Sequence, residues 1–521
     1  MDKYKKMKKL LLFLLLFSTL LGKAQNFSAA AVDTLVEKVM ASFRVPGIAV
    51  GVVKDGKIIH AKGYGVRSLQ TKQITTPNTL FGIASNSKAF TAAALGILVE
   101  QGKIKWDDLV RDYIPEFKLY DPYVTEHFTI KDLLTHRSGM GLGAGDLMFF
   151  PDSSDFTLKD IIHNLRYLPQ ESEFRTKYDY DNNLYIVAGE VIARVSGLSW
   201  DDFVERNIFQ PLGMKTSAGS FERLTKREDV IDAHAPVEGE VKVIPRNTLR
   251  VGHAAGGIYS NIYDLSAWLI CLMNKGTSAE GKRILSEETV KELWSPQTII
   301  PVYNPGVYSV HFSAYGLGFF LSDTKGKLQA THTGGLEGMV TQITMIPEIK
   351  LGIIVLTNQQ EGAAFVAISN SIKDKFLGPT GIDWPTRLLA NRKNEIDGAK
   401  KITDSVEAAI KKAIQTSSQN WKPFIGTYRD PWMGEAFIQE KDGQPWLQMK
   451  RSPKLTGRLF PYKGTTMVVR WNDRSMDADA FVNFALDEEG KAKSIRMRAI
   501  SPLTDFSYDF HDLRFQRVDK D

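Results

Sequence analysis

The order of apolar and polar positions divides residues 28–385 into strand-like ends and a helical middle. Residues 28–43 repeat apolar side chains at helical spacing, and two β-rich runs follow on either side of Asp55 and Gly56. An Asp-Gly pair between two such runs is a strong signal for a β-hairpin. Residues 85–310 carry mostly helical and loop patterns. Strand-like runs then return at residues 315–321, 328–333, 339–346 and 351–358, before a helical pattern at 363–376.

Strands at both ends of a region, with helices between them, favour one sheet built from distant segments. We therefore expect an α+β fold, in which helices flank a mostly antiparallel sheet and a helical insertion lies beside it. A cleft between the sheet and the insertion is where a ligand site is expected.

After Pro385 the pattern changes twice. Residues 387–418 are charged and helix-prone, without large aromatic side chains, which predicts a helical linker. From Trp421 onward, short aromatic strand-like runs alternate with turns, and residues 506–515 alternate apolar and polar side chains with a period of two. This pattern predicts a small all-β barrel or sandwich. The expected division is a main domain at 28–385, a linker at 386–420 and a β domain at 421–521.

The first 24 residues differ from the rest. Five lysines precede an apolar run at residues 10–21, and Gly22, Lys23 and Ala24 follow. This arrangement is typical of a secretory signal peptide at residues 1–24, because the apolar run is too short to span a bilayer comfortably. We expect cleavage after Ala24, a periplasmic or secreted protein, and no stable membrane anchor after cleavage. The segment also carries six lysines and one aspartate, most of the chain's net charge of +6, so nucleic acid is not an expected partner.

Cysteine and histidine give no indication of a metal or a cofactor. The single cysteine, Cys271, lies in an apolar run, where a buried packing role is expected. The nine histidines are scattered and show no H-E-x-x-H pattern. No metal site and no cofactor are therefore predicted.

The pattern S-x-x-K, which can place a serine beside a lysine, occurs twice. The second copy, Ser322 to Lys325, is followed by Gly326 between two strand-like runs, and this context indicates a hairpin turn. The first copy, Ser85 to Lys88, opens a strongly apolar helical pattern. A G-x-S-x-G nucleophile elbow is absent, which argues against an α/β-hydrolase.

Helix geometry gives the first copy a chemical interpretation. Positions i and i+3 share a helix face, so Ser85 and Lys88 are expected to point the same way, while Ser87 faces elsewhere. The positive end of a helix favours negative charge on an oxyanion, and a partly desolvated lysine can act as a base. The alternative is that Ser85 only caps the helix, because S-x-x-K is a loose pattern.

Two further patterns lie downstream. Tyr180 and Asn182 form a Y-x-N pattern ahead of a helical run, and residues 332–334 read His-Thr-Gly. A second Y-x-N begins at Tyr259, but there Asn261 leads into a helix and is expected to be its N-cap.

The ordered set S-x-x-K, Y-x-N and H-T-G resembles the serine β-lactamase and penicillin-binding-protein superfamily. It is most similar to the class C-like branch of β-lactamases, D,D-peptidases, D-aminopeptidases and esterases. The resemblance extends over roughly residues 28–380 and includes LLTHRSGM at 133–140 and AGGIYSNIYDLSAWL at 255–269. It implies a β-lactamase/transpeptidase-like fold, and small lipocalin-like β domains also follow related catalytic domains.

Carried over residue by residue, the resemblance implies a serine nucleophile with two proton-transfer groups. Ser85 would attack a carbonyl and form an acyl-enzyme. Lys88 and Tyr180 would share the proton transfer, and Tyr180 would protonate the leaving group. Asn182 would orient Lys88 and the substrate amide. Asp181 stands where serine or alanine is commoner, and it is expected to raise the pKa of the Tyr180 phenol.

The third motif would contact the substrate along one strand. The resemblance implies that His332, Thr333 and Gly334 line the strand edge, and that the backbone N–H groups of Ser85 and Gly335 form the oxyanion hole. Histidine is mostly neutral at pH 7, whereas a lysine at this motif position is positive. The histidine therefore argues against an optimised β-lactamase.

Three residues near the motifs have weaker assignments. Arg250 and Arg137 are candidates, by neighbourhood only, for binding a substrate carboxylate. His136 is expected to hold a loop by hydrogen bonds.

These residues predict an exported serine hydrolase that acts through an acyl-enzyme on a peptide containing a D-amino acid, or on an ester. The first alternative is a β-lactamase or a penicillin-binding D,D-carboxypeptidase. The second is a non-catalytic penicillin-recognising receptor or scaffold, whose β domain would be the working part. The expected partner is a small-molecule or peptide substrate, and an oligomer formed through the C-terminal domain is also considered.

Overall fold

The computed structural model describes residues 28–416 and 420–518. The predicted signal peptide at residues 1–24 therefore lies outside the described residues. Within those two ranges, no helix is both long enough and apolar enough to cross a bilayer.

The strands that precede the barrel form one large sheet and two small ones. Eight of them form an antiparallel sheet in the order β2-β1-β12-β11-β10-β9-β8-β7, while β3 pairs with β6 and β4 with β5. This sheet confirms the predicted α+β fold class. The strands are β1 (Gly47–Lys54), β2 (Lys57–Gly65), β3 (Phe81–Gly82), β4 (His234–Val237), β5 (Glu240–Val243), β6 (Tyr259–Ser260), β7 (Thr298–Ile300), β8 (Ser313–Tyr315), β9 (Phe320–Thr324), β10 (Lys327–Leu336), β11 (Met339–Ile346) and β12 (Leu351–Thr357).

Helices cover both faces of the sheet. The bounds of the α-helices are α1 (Ala29–Phe43), α2 (Lys88–Glu100), α3 (Val110–Tyr113), α4 (Pro122–His127), α5 (Leu158–Asn164), α6 (Asn182–Ser196), α7 (Trp200–Val204), α8 (Gln210–Leu212), α9 (His253–Gly256), α10 (Ile262–Met273), α11 (Glu287–Leu293), α12 (Gly362–Leu377) and α13 (Trp384–Thr416). On one face of β1, Ile48 and Val50 pack in a cluster with residues of α1 and α12. On the other face, Ala49 belongs to the main core that contains α2 and α10. Strand β1 is therefore apolar on both faces, as is expected for a central strand.

The predicted strand at residues 315–321 is interrupted in the structure. Tyr315 ends β8 and Phe320 begins β9, and Gly318 in the turn has a φ of 78°. A Cβ at Gly318 would lie 2.8 Å from the carbonyl oxygen of Lys88. The run YGLGFFL bends because Gly318 passes directly over the start of α2. The prediction of one continuous strand did not include that contact.

The C-terminal strands form a closed barrel, which confirms the predicted all-β architecture. Strand β13 pairs with both β14 and β20, so the sheet has no free edge there. Its interior contains the buried aromatic side chains of Tyr428, Trp471 and Phe484. The strands are β13 (Gly426–Asp430), β14 (Gly434–Lys441), β15 (Gln444–Met449), β16 (Thr456–Lys463), β17 (Thr466–Trp471), β18 (Ala480–Leu486), β19 (Ala492–Ala499) and β20 (Phe515–Val518).

The predicted linker is a helix that packs on the barrel. Few residues of helix α13 are buried, but two of them, Val406 and Ile410, pack against Val468, Phe481 and Ile500 of the barrel. The charged composition therefore describes the solvent face of an amphipathic helix. The division of the chain into domains at residues 385 and 420 stays a prediction.

The predicted strand at residues 506–515 is wrong over most of its length. Only Phe515 belongs to β20, and residues 510–512 form a 3₁₀ turn. Residues 507–510 are all buried, so the apolar and polar side chains alternate in type but not in burial. The carboxylate of Asp509 accepts hydrogen bonds from backbone N–H groups of residues 145 and 147 in the other half of the protein. These contacts with a distant segment override the local strand pattern.

Candidate active site

The predicted nucleophile lies on a strained turn at the start of α2. Ser85 belongs to a 3₁₀ turn, Ala84–Ser87, and the α-helix begins only at Lys88. The prediction of an α-helix at Ser85 is therefore corrected, although side chains at i and i+3 still share a face in a 3₁₀ turn. Ala84 has a φ of 49°, which is rare for a residue with a Cβ. Ser87 is buried and its Oγ accepts a hydrogen bond from the N–H of Ile258 (3.1 Å), so Ser87 faces away from Lys88, as predicted, and toward the core.

Lys88 is fully buried with all three hydrogens of its ammonium group engaged. Its Nζ donates to Oγ of Ser85 (3.1 Å), to Oδ1 of Asn182 (2.7 Å) and to the carbonyl oxygen of Ala255 (2.9 Å). Burial lowers the pKa of Lys88 to about 7, against the opposing effect of nearby carboxylates. An amine with this pKa exists in part as a free base near neutral pH, and it lies within hydrogen-bond reach of the serine.

Tyr180 lies over the lysine from the loop that precedes α6. Its ring centroid is 4.8 Å from Nζ of Lys88, and the ring of His136 is 4.3 Å from it. Burial raises the pKa of the Tyr180 phenol well above its usual range, while a hydrogen bond with Ser85 acts in the opposite direction. The Nδ1 of His136 accepts a hydrogen bond from the N–H of Asp181 (3.0 Å), so His136 holds this loop, as predicted.

Asp181 is not one of the main groups that raise the pKa of Tyr180. Its side chain caps α6 by accepting from the N–H of Leu184, and Oγ of Ser138 donates to its other oxygen. The carboxylate that adds to the raised pKa of Tyr180 is Asp146 instead.

Sequence reasoning missed Asp146. It is fully buried in a 3₁₀ turn, and its Oδ2 accepts hydrogen bonds from Nδ2 of Asn182 (2.8 Å) and Oγ of Ser507 (2.8 Å). Burial raises its pKa well above the usual range of a carboxyl group. The surrounding GLGAGDLMFF contains no motif that points to it, and Ser507 lay in a predicted barrel strand.

His332 is buried and neutral at the strand edge. Its Nδ1 lies 2.5 Å from the carbonyl oxygen of Thr333, which can only accept, so Nδ1 carries the proton. Its Nε2 then accepts from the hydroxyl of Tyr315 (2.9 Å). Burial and the charge of Lys88 lower the pKa of His332 to about 3. This agrees with the expectation that the histidine provides no positive charge at neutral pH.

The edge of β10 is open where the H-T-G motif lies. Strand β9 pairs with β10 only as far as Thr331, whereas β11 pairs with it as far as Leu336. Thr333 and Gly335 are exposed and line the cavity beside Ser85, as predicted. A Cβ at Gly335 would meet nothing within 4 Å. An extended substrate backbone can therefore approach this edge.

Gly334 differs from the expectation that it contacts substrate. It is buried and does not line the cavity, and a Cβ at this position would lie 2.2 Å from the carbonyl oxygen of Ile83. The glycine is needed because β10 packs against the turn that carries the predicted nucleophile.

These groups meet in one cavity of about 320 Å³. Its lining includes Ser85, Tyr180 and Asn182, and its walls are mostly apolar, including the aromatic rings of Tyr178, Phe320 and Phe506. Two carboxylates, Glu337 and Asp505, also line it, and no lysine or arginine of the described residues does. The cavity is therefore apolar with an acidic rather than a basic character.

The two arginines suggested for a substrate carboxylate are not in the cavity. Arg137 donates to Asp132 and to the carbonyl of Gln297, and Arg250 is exposed outside the lining. The competing Tyr259 is buried in the small sheet of β3 and β6, and Asn261 caps α10 as predicted. Neither of these last two residues lines the cavity.

One group of possible metal ligands lies away from this cavity. The ligand atoms of Glu171, His511 and Asp512 lie within 4.8 Å of one another. None of the three lines the cavity beside Ser85. The proposed chemistry at Ser85 therefore does not involve this group.

Comparisons with known proteins identify the family of the larger part of the chain. A profile of the beta-lactamase family matches residues 32–373, and a profile of a domain of unknown function (DUF3471) matches residues 410–517. Unguisins hydrolase ungD' of Aspergillus campestris is 28% identical over 411 residues, which cover 76% of this chain and 72% of that protein. Unguisins hydrolase ungD of Aspergillus violaceofuscus is 30% identical over 338 residues, which cover 61% of this chain and 59% of that protein.

A solved structure extends the similarity to both halves of the chain. The octameric penicillin-binding protein homologue from Pyrococcus abyssi superposes with a TM-score of 0.61 at 22% identity. The match covers 94% of this chain and all of that chain. At this identity the similarity concerns the fold, including the C-terminal barrel.

Proposed function

Because the chain belongs to the beta-lactamase family, we propose that it is an exported serine hydrolase that acts through an acyl-enzyme on Ser85. The proposed substrate is a peptide bond next to a D-amino acid, or an ester. The observation that carries the proposal is the contact of 3.1 Å between Oγ of Ser85 and Nζ of a buried Lys88 whose pKa is lowered to about 7. A neutral amine at that position can take the serine proton.

The proposed acylation of Ser85 proceeds through a tetrahedral intermediate. Oγ of Ser85 attacks the substrate carbonyl carbon as its proton passes to Nζ of Lys88, and the carbonyl oxygen becomes an oxyanion. The N–H groups of Ser85 and Gly335 are proposed to stabilise that oxyanion. The tetrahedral intermediate then expels an amine or alcohol, which receives its proton through the hydroxyl of Tyr180.

In the second step, water replaces the leaving group. Water attacks the acyl carbon and gives a proton to the Lys88 and Tyr180 pair, and that proton passes to Oγ of Ser85 as the ester bond breaks and the carboxylic acid leaves. The open edge of β10 beside Thr333 and Gly335 supports an extended acyl group, because its amide can hydrogen-bond to the unpaired backbone groups there.

The charges of the cavity favour substrates without a free carboxylate. No lysine or arginine in the described part of the chain lines it, and His332 is neutral. A β-lactam antibiotic or a peptide ending in a carboxylate would enter an apolar site without a positive partner, which is unfavourable. This property supports the peptide or ester hydrolase over the β-lactamase or D,D-carboxypeptidase.

Glu337 supports an amine-bearing substrate. It is 7% exposed, it lines the cavity, and Nδ2 of Asn247 donates to its Oε2, while Oε1 has no partner among the described residues. Burial raises the pKa of Glu337 to about 7, against the charge of Lys454 and the hydrogen bond from Asn247. A substrate ammonium group would supply the missing partner and stabilise the ionised carboxylate. Glu337 follows directly on the strand that is proposed to bind the acyl group.

A fluorescent serine-reactive probe tests the proposal on the purified protein. Wild type is expected to be labelled, and Ser85→Ala is not. Equal labelling of the two proteins, or no labelling of either, would contradict the enzyme proposal and favour the non-catalytic receptor. Ser87→Ala is not a suitable control because its hydroxyl holds Ile258, and Ser322→Ala serves instead.

A substrate panel then separates the candidate activities. It contains a D-aminoacyl anilide, an L-aminoacyl anilide, a p-nitrophenyl ester, a chromogenic cephalosporin and an unguisin, which the names of the two fungal relatives specify. The D-aminoacyl anilide or the ester is expected to give the highest kcat/KM. Preferred hydrolysis of the cephalosporin would favour the β-lactamase.

Export and assembly are separate proposals. Cleavage after Ala24 predicts that the N-terminus of the mature protein is Gln25, which intact mass measurement of the exported protein tests. Assembly through the barrel is proposed because the similar Pyrococcus abyssi protein is described as octameric. Light scattering of the purified full chain tests it, and a monomer at micromolar concentration would contradict it.

A further inference from the structure

A loop of the barrel reaches the centre of the candidate active site. The barrel loop, residues 500–514, connects β19 to β20 and contacts the other half of the protein through Phe506, Ser507 and Asp509. The ring of Phe506 meets the ring of Tyr180 edge-to-face at 5.7 Å, and Oγ of Ser507 donates to Oδ2 of Asp146 at 2.8 Å. The carboxylate of Asp509 accepts from backbone N–H groups on either side of Asp146.

A chain of buried hydrogen bonds continues from this loop to the lysine. Ser507 donates to Asp146, Nδ2 of Asn182 donates to the same carboxylate oxygen, and Nζ of Lys88 donates to Oδ1 of Asn182. All four side chains are at least nine-tenths buried. Among these four hydrogen-bonded residues, Ser507 is the one that lies in the barrel loop.

The carboxylate at position 146 determines which end of the Asn182 amide faces Lys88. Oδ2 of Asp146 accepts from both Asn182 and Ser507, and an accepting oxygen selects the NH₂ end of the amide. The oxygen end is then left for Nζ of Lys88, which as an ammonium group can only donate. If Asp146 took up a proton or moved, the amide could turn and present its NH₂ group to Nζ, and the lysine would lose its acceptor.

Ser507 fixes the position of the carboxylate oxygen that accepts from Asn182, and its hydrogen bond opposes protonation of Asp146. Burial favours the neutral form of Asp146, whereas the hydrogen bonds from Ser507 and Asn182 and the charge of Lys88 favour the ionised form. The carboxylates of Asp181 and Asp509 also lie close enough to favour the neutral form. Removal of the Ser507 hydroxyl therefore eliminates one of the three groups that oppose protonation of Asp146.

We propose that Ser507 is a positioning residue for the catalytic lysine and that the barrel, through this residue, completes the active site. The inference rests on the proposed function, because it assigns Lys88 a role in proton transfer. It goes beyond that function by making the hydrolytic rate depend on a residue of the barrel. Ser507 acts through Asp146 and Asn182 and does not itself touch Lys88.

The test compares two serines of the same loop in the full chain. Ser507→Ala is expected to lower kcat about tenfold, since small displacements of a proton-transfer group slow the chemical step, while KM changes less than twofold. Ser501→Ala is the matched control, because its Oγ accepts only from the N–H of Leu503 within the loop. The control is expected to keep kcat and KM of the wild type.

A double-mutant cycle shows whether Ser507 works through Asp146. Asp146→Asn replaces the acceptor with a group that can also donate, so it is expected to lower kcat at least as much as Ser507→Ala. The double variant is expected to be no slower than Asp146→Asn alone, because the Ser507 hydroxyl then has no carboxylate to position. If the effects of the two substitutions on log kcat are additive in the double variant, the inference is wrong.

The outcomes separate this inference from the proposed function. If Ser85→Ala abolishes turnover but Ser507→Ala keeps kcat within twofold of wild type, the inference is wrong and the hydrolase proposal stands. If wild type itself shows no turnover or labelling, both the hydrolase proposal and the inference about Ser507 are wrong. If Ser507→Ala does not fold by circular dichroism, Ser507→Cys replaces it. The thiol, a weaker donor of similar size, is expected to give an intermediate kcat, and a kcat equal to wild type would overturn the inference.

Discussion

The pattern S-x-x-K occurs at Ser85 and at Ser322, and the two lysines have opposite environments. Lys88 is fully buried, and its Nζ donates to a serine, an asparagine and one carbonyl. Lys325 is partly exposed, and its Nζ donates to the carbonyl oxygens of Leu377 and Gly378 at the end of α12. The same four-residue pattern thus forms a possible base in one place and a helix C-terminal contact in the other.

This difference teaches that burial, and not the pattern, gives the lysine its chemistry. Desolvation disfavours the charged form of an amine, and it lowers the pKa of Lys88 to about 7. The two Y-x-N patterns differ in the same way, since Tyr180 lies beside Lys88 while Tyr259 lies in a separate core cluster.

The largest expected effect compares the two serines. Ser85→Ala is expected to lower kcat/KM by more than about 10³-fold, because it removes the proposed nucleophile. Ser322→Ala is expected to stay within twofold of wild type, because Ser322 lies in β9 outside the cavity. Steady-state kinetics with a p-nitrophenyl ester measure both. A comparable loss in the two variants would remove the distinction between the two patterns.

The second prediction compares the two lysines. Lys88→Met is expected to lower kcat about 10²–10⁴-fold, since it removes a general base. It is also expected to keep or raise the melting temperature, because burying a charged amine is costly. Lys325→Met is expected to keep kcat and to lose about 0.3–1 kcal/mol of stability with its helix contacts. Kinetics and thermal unfolding check both, and a catalytic loss in Lys325→Met would contradict the comparison.

The pH dependence of wild type sharpens the same point. Lys88 must be neutral to accept a proton, and its lowered pKa of about 7 makes that form dominant only above neutral pH. We therefore expect kcat/KM to rise with pH through an apparent midpoint near 7 and to fall about tenfold per unit below it. A rate that stays constant between pH 5 and 8 would contradict the role of Lys88 as the base.

The two tyrosines form the third comparison. Tyr180→Phe is expected to lower kcat about 10²-fold, because it removes the group proposed to protonate the leaving group. Tyr259→Phe is expected to be neutral or slightly stabilising, since the buried Tyr259 hydroxyl has no hydrogen-bond partner among the described residues. Kinetics and thermal unfolding of both variants measure these effects. Loss of activity only in Tyr259→Phe would mean that Tyr259, and not Tyr180, belongs to the active site.

The smallest expected effect concerns substrate choice. Glu337→Gln is expected to lower kcat/KM for a D-aminoacyl anilide about threefold to tenfold, because it removes the charged partner of the substrate ammonium group. The p-nitrophenyl ester, which has no ammonium group, serves as the internal control and is expected to stay within twofold. An equal loss for both substrates would indicate a structural role of Glu337.

The elements that local patterns predict well are those whose neighbours lie close in the chain. The hairpin at Asp55 and Gly56 is present, with φ of 52° and 75° at the two turn residues. Ser85, Tyr180 and His332 lie far apart in the chain, and their meeting in one cavity was expected from the family resemblance and not from a local pattern. The position of Ser85 relative to Ser87 followed from helix spacing alone.

The parts that sequence could not predict depend on contacts between distant segments. Asp146 has no motif, and its importance comes from Asn182 and Ser507, which lie far along the chain. Residues 506–515 alternate like a strand, but the loop is held in place by backbone groups near residue 145. Gly334 resembles a substrate-contact glycine, yet its space is taken by the carbonyl of Ile83. Tertiary contacts determine each of these cases.

The central claim is that Ser85, and not Ser322, forms a covalent acyl-enzyme. The most direct measurement is tryptic peptide mass spectrometry of the full chain after reaction with a slowly released acylating ester. The account predicts one acyl adduct on the peptide of residues 73–88, with fragmentation placing it on Ser85 rather than Ser87, and no adduct in Lys88→Met under the same conditions. An adduct on Ser322 or Ser87, or no adduct in wild type, would contradict it.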